Sequence, residues 1–133
     1  MSDKRFNVRV YGIVINQHDE LLVSDELIQG IQFTKFPGGG LEWGEGTRAC
    51  LQREFMEELE QEVEVLEHYF TTDYFQQSAF KDSDQLISIY YKVRLLGELN
   101  FPTSSTPFNF PDDVGNQFEV QRWIPLSALS PDD

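Results

Sequence analysis

The chain has 133 residues, 40% of them hydrophobic and including 11 Phe, 5 Tyr and 2 Trp, which suits one domain spanning 1–133 and leaves too little length for two independent cores. Ten Lys and Arg against 23 Asp and Glu give a net charge of -13, which argues against nucleic acid as a partner, because affinity for a phosphate backbone comes mainly from cations displacing counterions. A single Cys50 and two His argue against a disulfide framework and the usual zinc spacings; no apolar run of bilayer length occurs and no signal-type stretch follows Met1–Phe6, so a cytoplasmic protein with no membrane partner is expected.

In chain order, Val8, Val10, Ile13, Val14 and Ile15 form a β-rich run ending at the polar turn Asn16–Asp19, and Leu21-Leu22-Val23 follows; together they read as a strand pair. A loop from Asp25 to Gly30 leads to the extended Gln32–Phe36, and Pro37-Gly38-Gly39-Gly40 is expected to break regular structure. From about Thr47 to Glu60 the pattern is helical, with Ala49, Met56 and Leu59 building an apolar stripe and Phe55 on its flank. Strands are expected at about 63–72, 86–96 and 117–124, the second unbroken enough at Leu86–Tyr91 to be central. The stretch 100–115 reads as a long surface loop, and Pro125–Leu129 as the opening of a short helix. Strands around one long helix predict a mixed α/β sandwich with little C-terminal helix.

The chemistry concentrates on that helix. At 100° per residue Glu54, Glu57 and Glu58 fall within one sector roughly 100° wide, and like charges so placed repel unless solvated or neutralised by cations. Hard carboxylate oxygens suit Mg²⁺ or Mn²⁺, which keep part of their water shell and bridge to substrate phosphates. An acidic protein that handles phosphates needs such cations. Taken alone, the helix reads more readily as a solvated acidic face and the glycines before it as hairpin punctuation. In tandem they carry more, since Gly38 to Gly46 lets backbone approach a ligand next to a helix N-terminus.

Gly39, five residues to Glu45, then seven to Arg53-Glu54-Phe55-Met56-Glu57-Glu58, with Pro37-Gly38 ahead, resembles the signature box of the Nudix (MutT-like) hydrolases. The element order and Arg122–Leu126 resemble that family across most of the chain. The resemblance implies a Nudix-like α/β/α sandwich with a mixed sheet, and hydrolysis of a phosphoanhydride bond in a nucleoside triphosphate or in a nucleoside diphosphate linked to another moiety. It implies Glu54, Glu57, Glu58 and the Gly39 carbonyl as metal ligands, and Arg53 and Glu45 as residues that orient them. Arg53, at i, i+4 from Glu57, has the reach to hold that carboxylate. Gly38, Gly39 and Lys35 are candidate substrate contacts, with Arg5 and Arg9 as further phosphate contacts and Tyr74, Phe75 and Phe80 as a stacking surface. Glu58 is the first choice of general base, ahead of Asp82, Asp84, Asp113 and Glu119. The expected partner is a small nucleoside diphosphate derivative, with a homodimer left open; the rivals are a non-catalytic nucleotide-binding module on the same fold and a Ca²⁺-binding domain, the latter disfavoured because no EF-hand-like pattern occurs.

Two features depart from the family. Glu60 and Gln61 stand where a glycine and an apolar residue usually follow the paired glutamates, so the helix is expected to overrun Leu59 or to end without a left-handed residue. No proline lies between Pro37 and Pro102, so the marker typical of ADP-ribose enzymes is missing, as is the Ser-Gln-Pro-Trp run of the NADH type.

Overall fold

The structure, a computed structural model, describes residues 3–129. Two four-stranded sheets and one α-helix make up the fold. Strands β1 (Arg5–Ile13), β4 (Gly38–Gly40), β5 (Val63–Thr71) and β6 (Asp84–Leu95) form the first sheet in the order β4-β1-β6-β5. Strands β2 (Glu20–Ile28), β3 (Ile31–Lys35), β7 (Thr103–Ser104) and β8 (Gln117–Pro125) form the second, in the order β3-β2-β8-β7. Helix α1 (Thr47–Leu59) packs against the first sheet, and a short 3₁₀ turn, Leu126–Ala128, is the C-terminal helix. The mixed α/β arrangement with one long helix is the expected fold, and β6 is central, paired parallel to β1 and antiparallel to β5.

The core lies between α1 and the first sheet, where Val10, Phe55, Leu51, Val63 and Val93 are buried. The buried helix face is Cys50, Leu51, Phe55 and Leu59, and not the stripe that Ala49 and Met56 suggested. Ala49 is exposed and Met56 is 44% exposed, because the i, i+4 series Leu51, Phe55, Leu59 carries the larger apolar area and takes the core side.

Three local expectations fail for reasons of pairing. The runs β1 and β2 are not partners: they meet only at the bridge Ile15–Leu21 and at Leu22 N–H to Val14 O (2.9 Å), the corner between the two sheets. The supposed loop from Asp25 is strand to Ile28, closed by a tight turn through Gln29 and Gly30 into β3. The glycine run is itself a strand, with Gly38, Gly39 and Gly40 opposite Tyr11, Val10 and Arg9. A Cβ on Gly38 would stand 2.1 Å from Val10 O, so only glycine brings β4 this close to β1.

The helix end also differs from expectation. Glu60 takes the left-handed conformation (φ 52°, ψ 38°), with Glu60 N–H to Met56 O at 3.0 Å and Gln61 N–H to Phe55 O at 3.3 Å. This is the glycine-type cap made without glycine. What holds it is Gln61, fully buried, which donates to Leu96 O (2.8 Å) and accepts from Asn100 N–H (3.0 Å), while the Asn100 side chain donates to Glu60 O (2.9 Å). Tertiary hydrogen bonds offset the backbone strain of roughly 1 kcal/mol.

Candidate active site

Helix α1 begins after a loop that Arg53 ties down. Its guanidinium donates to both Glu45 oxygens (2.7 and 3.0 Å), to Glu54 (3.0 Å), to Glu57 (3.1 Å) and to Gly40 O (3.0 Å). The fork therefore grips Glu45 and only shares a single N–H with Glu57. Beside this cation the Glu45 carboxyl falls to a pKa of about 2, and the Arg53 pKa is raised in turn. Glu54, with a side chain only 12% exposed, lies flat against Gly39. Glu57 stays largely in solvent.

Glu58 points toward the second sheet. Its pKa is raised to about 8, first by burial of the carboxyl and then by Glu119 and Glu54, with Lys35 opposing. Glu119 on β8 is raised to about 7 by burial and by Glu26, again against Lys35. Lys35 sits among them, 3.1 Å from Glu26 and donating to Gly38 O at 3.2 Å. Burial works against its ammonium, but Glu58 and Glu26 outweigh this and its pKa is raised. Glu26 Oε2 is buried, with the Lys35 ammonium as its ion-pair partner. Lys35 thus pairs with Glu26 and lies within electrostatic reach of Glu58 and Glu119.

Of the expected residues, Glu45, Arg53, Glu54 and Glu57 are joined in one ion-pair network, and Glu58, Lys35 and Glu119 lie within electrostatic reach of one another. Among the described residues no three acidic, His or Cys groups converge as a ready-made metal cage. Arg9 reaches over Gly40 and its charge is felt by Glu54 and Glu58. Arg5 lies elsewhere, tied to Asp84 through two hydrogen bonds, which removes both from the candidate phosphate contacts and bases. Tyr74 and Phe75 are exposed, and Phe80 packs on Phe33.

Sequence reasoning missed Glu26, and also the buried Asp25, which Arg122 holds at 2.7 and 3.0 Å and Thr34 at 2.7 Å. The signal was there: Leu27-Ile28 continues the apolar run of Leu21–Val23 past both acids, as in a strand whose polar members have partners.

The family model described as NUDIX domain matches residues 5–133. The chain belongs to that family. With the Nudix fold and this family come the pyrophosphohydrolases, and the chain is one of them by type. Among solved structures, a MutT NUDIX hydrolase from Burkholderia pseudomallei superposes with a TM-score of 0.68 at 16% identity, covering 96% of this chain and 88% of that one. A NUDIX hydrolase from Nitrosomonas europaea gives 0.66 at 17% identity, covering 92% and 74%. An ADP-ribose pyrophosphatase from Streptococcus suis gives 0.56 at 16% identity, covering 94% and 78%. At such identities the likeness is one of fold. No curated protein sequence matches the chain significantly. Among the described residues no helix is long and apolar enough to cross a membrane.

Proposed function

We propose that the chain hydrolyses a phosphoanhydride bond in a small nucleoside triphosphate or nucleoside diphosphate derivative, with Mg²⁺ or Mn²⁺. The observation that carries this reading is Glu54 packed against Gly39, with Glu57 beside it on the Arg53 guanidinium and Glu58 on the same helix face. A hard dication fits that donor set.

Glu54, Glu57, Glu58 and the Gly39 carbonyl are the residues to hold it. When bound, a divalent ion activates water and neutralises charge on phosphate oxygens. Arg53 keeps Glu54 and Glu57 oriented through its shared N–H groups, and Glu45 fixes Arg53. Lys35 and Arg9 face the phosphates. Glu58 takes the proton of the attacking water, and Glu119, within its electrostatic reach, is the alternative base.

Structural neighbours differ in activity, one being an ADP-ribose pyrophosphatase and another a UDP-X diphosphatase, so assay decides the leaving group. Hydrolysis of nucleoside triphosphates, ADP-ribose, sugar nucleotides and dinucleoside polyphosphates with Mg²⁺ or Mn²⁺ tests the reading. Turnover of at least one class, lost in EDTA, supports it; no turnover of any, with tight nucleotide binding, favours the non-catalytic module.

A further inference from the structure

We propose that this chain pairs with a second copy of itself through the end of the first sheet where β1 begins, each copy's Trp43 entering a recess on the other. Trp43 is 102% exposed, more than any other large apolar side chain among the described residues. The turn that carries it is well held. Glu45 N–H donates to Glu42 O (3.3 Å), Glu42 N–H donates to the Glu45 carboxylate (3.0 Å), and Arg53 grips that carboxylate in turn. A Trp presented on an ordered turn has the character of an interface anchor, since little further entropy is lost when it is covered. The chain leaving β4 runs past Val8 (Leu41 N–H to Val8 O, 2.9 Å) toward the start of β1. There Phe6, on the same face of β1 as the core residue Val10, is 68% exposed, and Phe75 is 70% exposed.

Phe6 and Phe75 border a recess of about 280 Å³ whose other walls are Lys4, Arg5, Gln77 and the segment from Asp82 to Gln85. That falls short of the roughly 300–1,000 Å³ of a small-molecule pocket and suits a single aromatic side chain. Lys81 stands on the adjoining rim. Three cations, Lys4, Arg5 and Lys81, here outnumber two acids, Asp82 and Asp84, in a chain with 23 acids and 10 Lys and Arg. Arg5 is committed to Asp84 at 2.7 Å, whereas Lys4 and Lys81 belong to no ion pair among the described residues. Glu42, next to Trp43, has a side chain 67% exposed and only a 3.6 Å contact with Arg53. Knob and recess, carboxylate and ammonium thus occupy the same end of one molecule. A closed two-fold interface requires this, because each of its contacts occurs twice. At 150–250 Å² for a whole aromatic side chain, Trp43, Phe6 and Phe75 leave roughly 500 Å² uncovered per copy, against about 800 Å² per partner in a standard interface. A partner of other chemistry would need only one half of the arrangement.

The test is sedimentation equilibrium of the whole chain from about 1 to about 500 μM, in about 0.15 M salt, where repulsion between two acidic copies is screened beyond roughly 8 Å. A monomer–dimer equilibrium with Kd on the order of 10 μM is expected for an interface at the small end of the range. Trp43→Ala should weaken it at least about tenfold, and Phe75→Ala should act in the same direction. The charges are tested by a swap. One protein carrying both Lys4→Glu and Lys81→Glu, and another carrying Glu42→Lys, should each self-associate about tenfold more weakly than the wild type. Mixed, the two should pair within about threefold of the wild-type affinity, because both contacts of that heterodimer again join opposite charges. A monomer across the whole range, a dimer indifferent to Trp43→Ala, or a mixture that pairs no more tightly than its parts overturns the proposal. So does a monomer in which Trp43→Ala raises KM for a nucleotide, which would assign the indole to the substrate.

Discussion

A Cβ placed on Gly39 would stand 2.5 Å from Cδ of Glu54 and 2.6 Å from both of its oxygens. The glycine is needed for the space it leaves to a carboxylate, since its own φ is not in the left-handed region. Gly39→Ala should therefore move Glu54 without breaking β4. Turnover is expected to fall at least about tenfold, because small misplacement of a reacting or ligating group is costly, while the melting temperature without metal changes little. Steady-state kinetics and a thermal melt check this together; loss of the fold would show that β4 itself needs the glycine.

Arg53 should not tolerate lysine. Its five N–H groups are spread over Glu45, Glu54, Glu57 and Gly40 O, whereas an ammonium on a flexible stem offers three donors and no fork. Arg53→Lys is expected to lower kcat by about 10²-fold, roughly 2.7 kcal/mol, and to leave nucleotide affinity within a few fold. A variant with full kcat would reduce Arg53 to a surface ion pair.

The strained helix end makes an opposite prediction. Glu60 sits at φ 52°, where glycine pays no Cβ penalty. Glu60→Gly should stabilise the protein by about 1 kcal/mol, seen as a higher midpoint in urea with unchanged slope. Gln61→Leu should do the reverse, since it strands Leu96 O and Asn100 N–H, which Gln61 now satisfies.

The same residues show what the sequence could and could not tell. Helix α1 and the clustering of Glu54, Glu57 and Glu58 follow from spacing along one element, which is local information. The cap at Glu60 depends on Gln61 meeting Leu96 and Asn100, 35 and 39 residues away, and no local rule contains that. Asp25 and Glu26 looked like loop because their cations, Arg122 and Lys35, lie on other strands. The glycine run looked like a break because a strand without side chains shows no alternation.

The acidic cluster sets a pH dependence. Glu58 and Glu119 have folded-state pKa values raised above the ordinary carboxylate value, to about 8 and about 7. A raised carboxyl pKa means that the folded state binds the proton more tightly than the unfolded chain does. Their contribution thus costs nothing below the unfolded pKa of about 4.5 and destabilises progressively as pH rises through the window up to about 8. Glu45 acts oppositely, its pKa being lowered to about 2, but its stabilisation is lost only below about pH 4.5 and does not overlap that window. Melts in EDTA from pH 5 to 8.5 should show a falling stability that Mg²⁺ restores most at the alkaline end, where the carboxylates are free to bind it. A Glu58→Gln, Glu119→Gln double variant should flatten the profile; an equally steep one would place the titration elsewhere.

Neutralising substitutions separate the three helix glutamates from the acidic background. Glu54 is buried against Gly39, Glu58 faces Lys35 and Glu119, and Glu57 is held by Arg53 at the rim. Replacing any of them by Gln keeps the volume and removes a charged ligand, so turnover should fall by at least about 10²-fold, or roughly 2.7 kcal/mol of transition-state stabilisation. The losses should be unequal. Glu54 has little solvent to replace a lost interaction, whereas Glu57 and Glu58 are exposed, so the Glu54 variant should be the most damaging of the three. Glu60→Gln is the control: it keeps the strained cap, lies off the ligand face, and should change turnover by less than about threefold. Folding without metal should hold in all four, and the stabilisation gained on adding Mg²⁺ should shrink in the three ligand variants alone. Equal and mild losses across all four positions would make the cluster a solvated acidic face and return the non-catalytic module to first place.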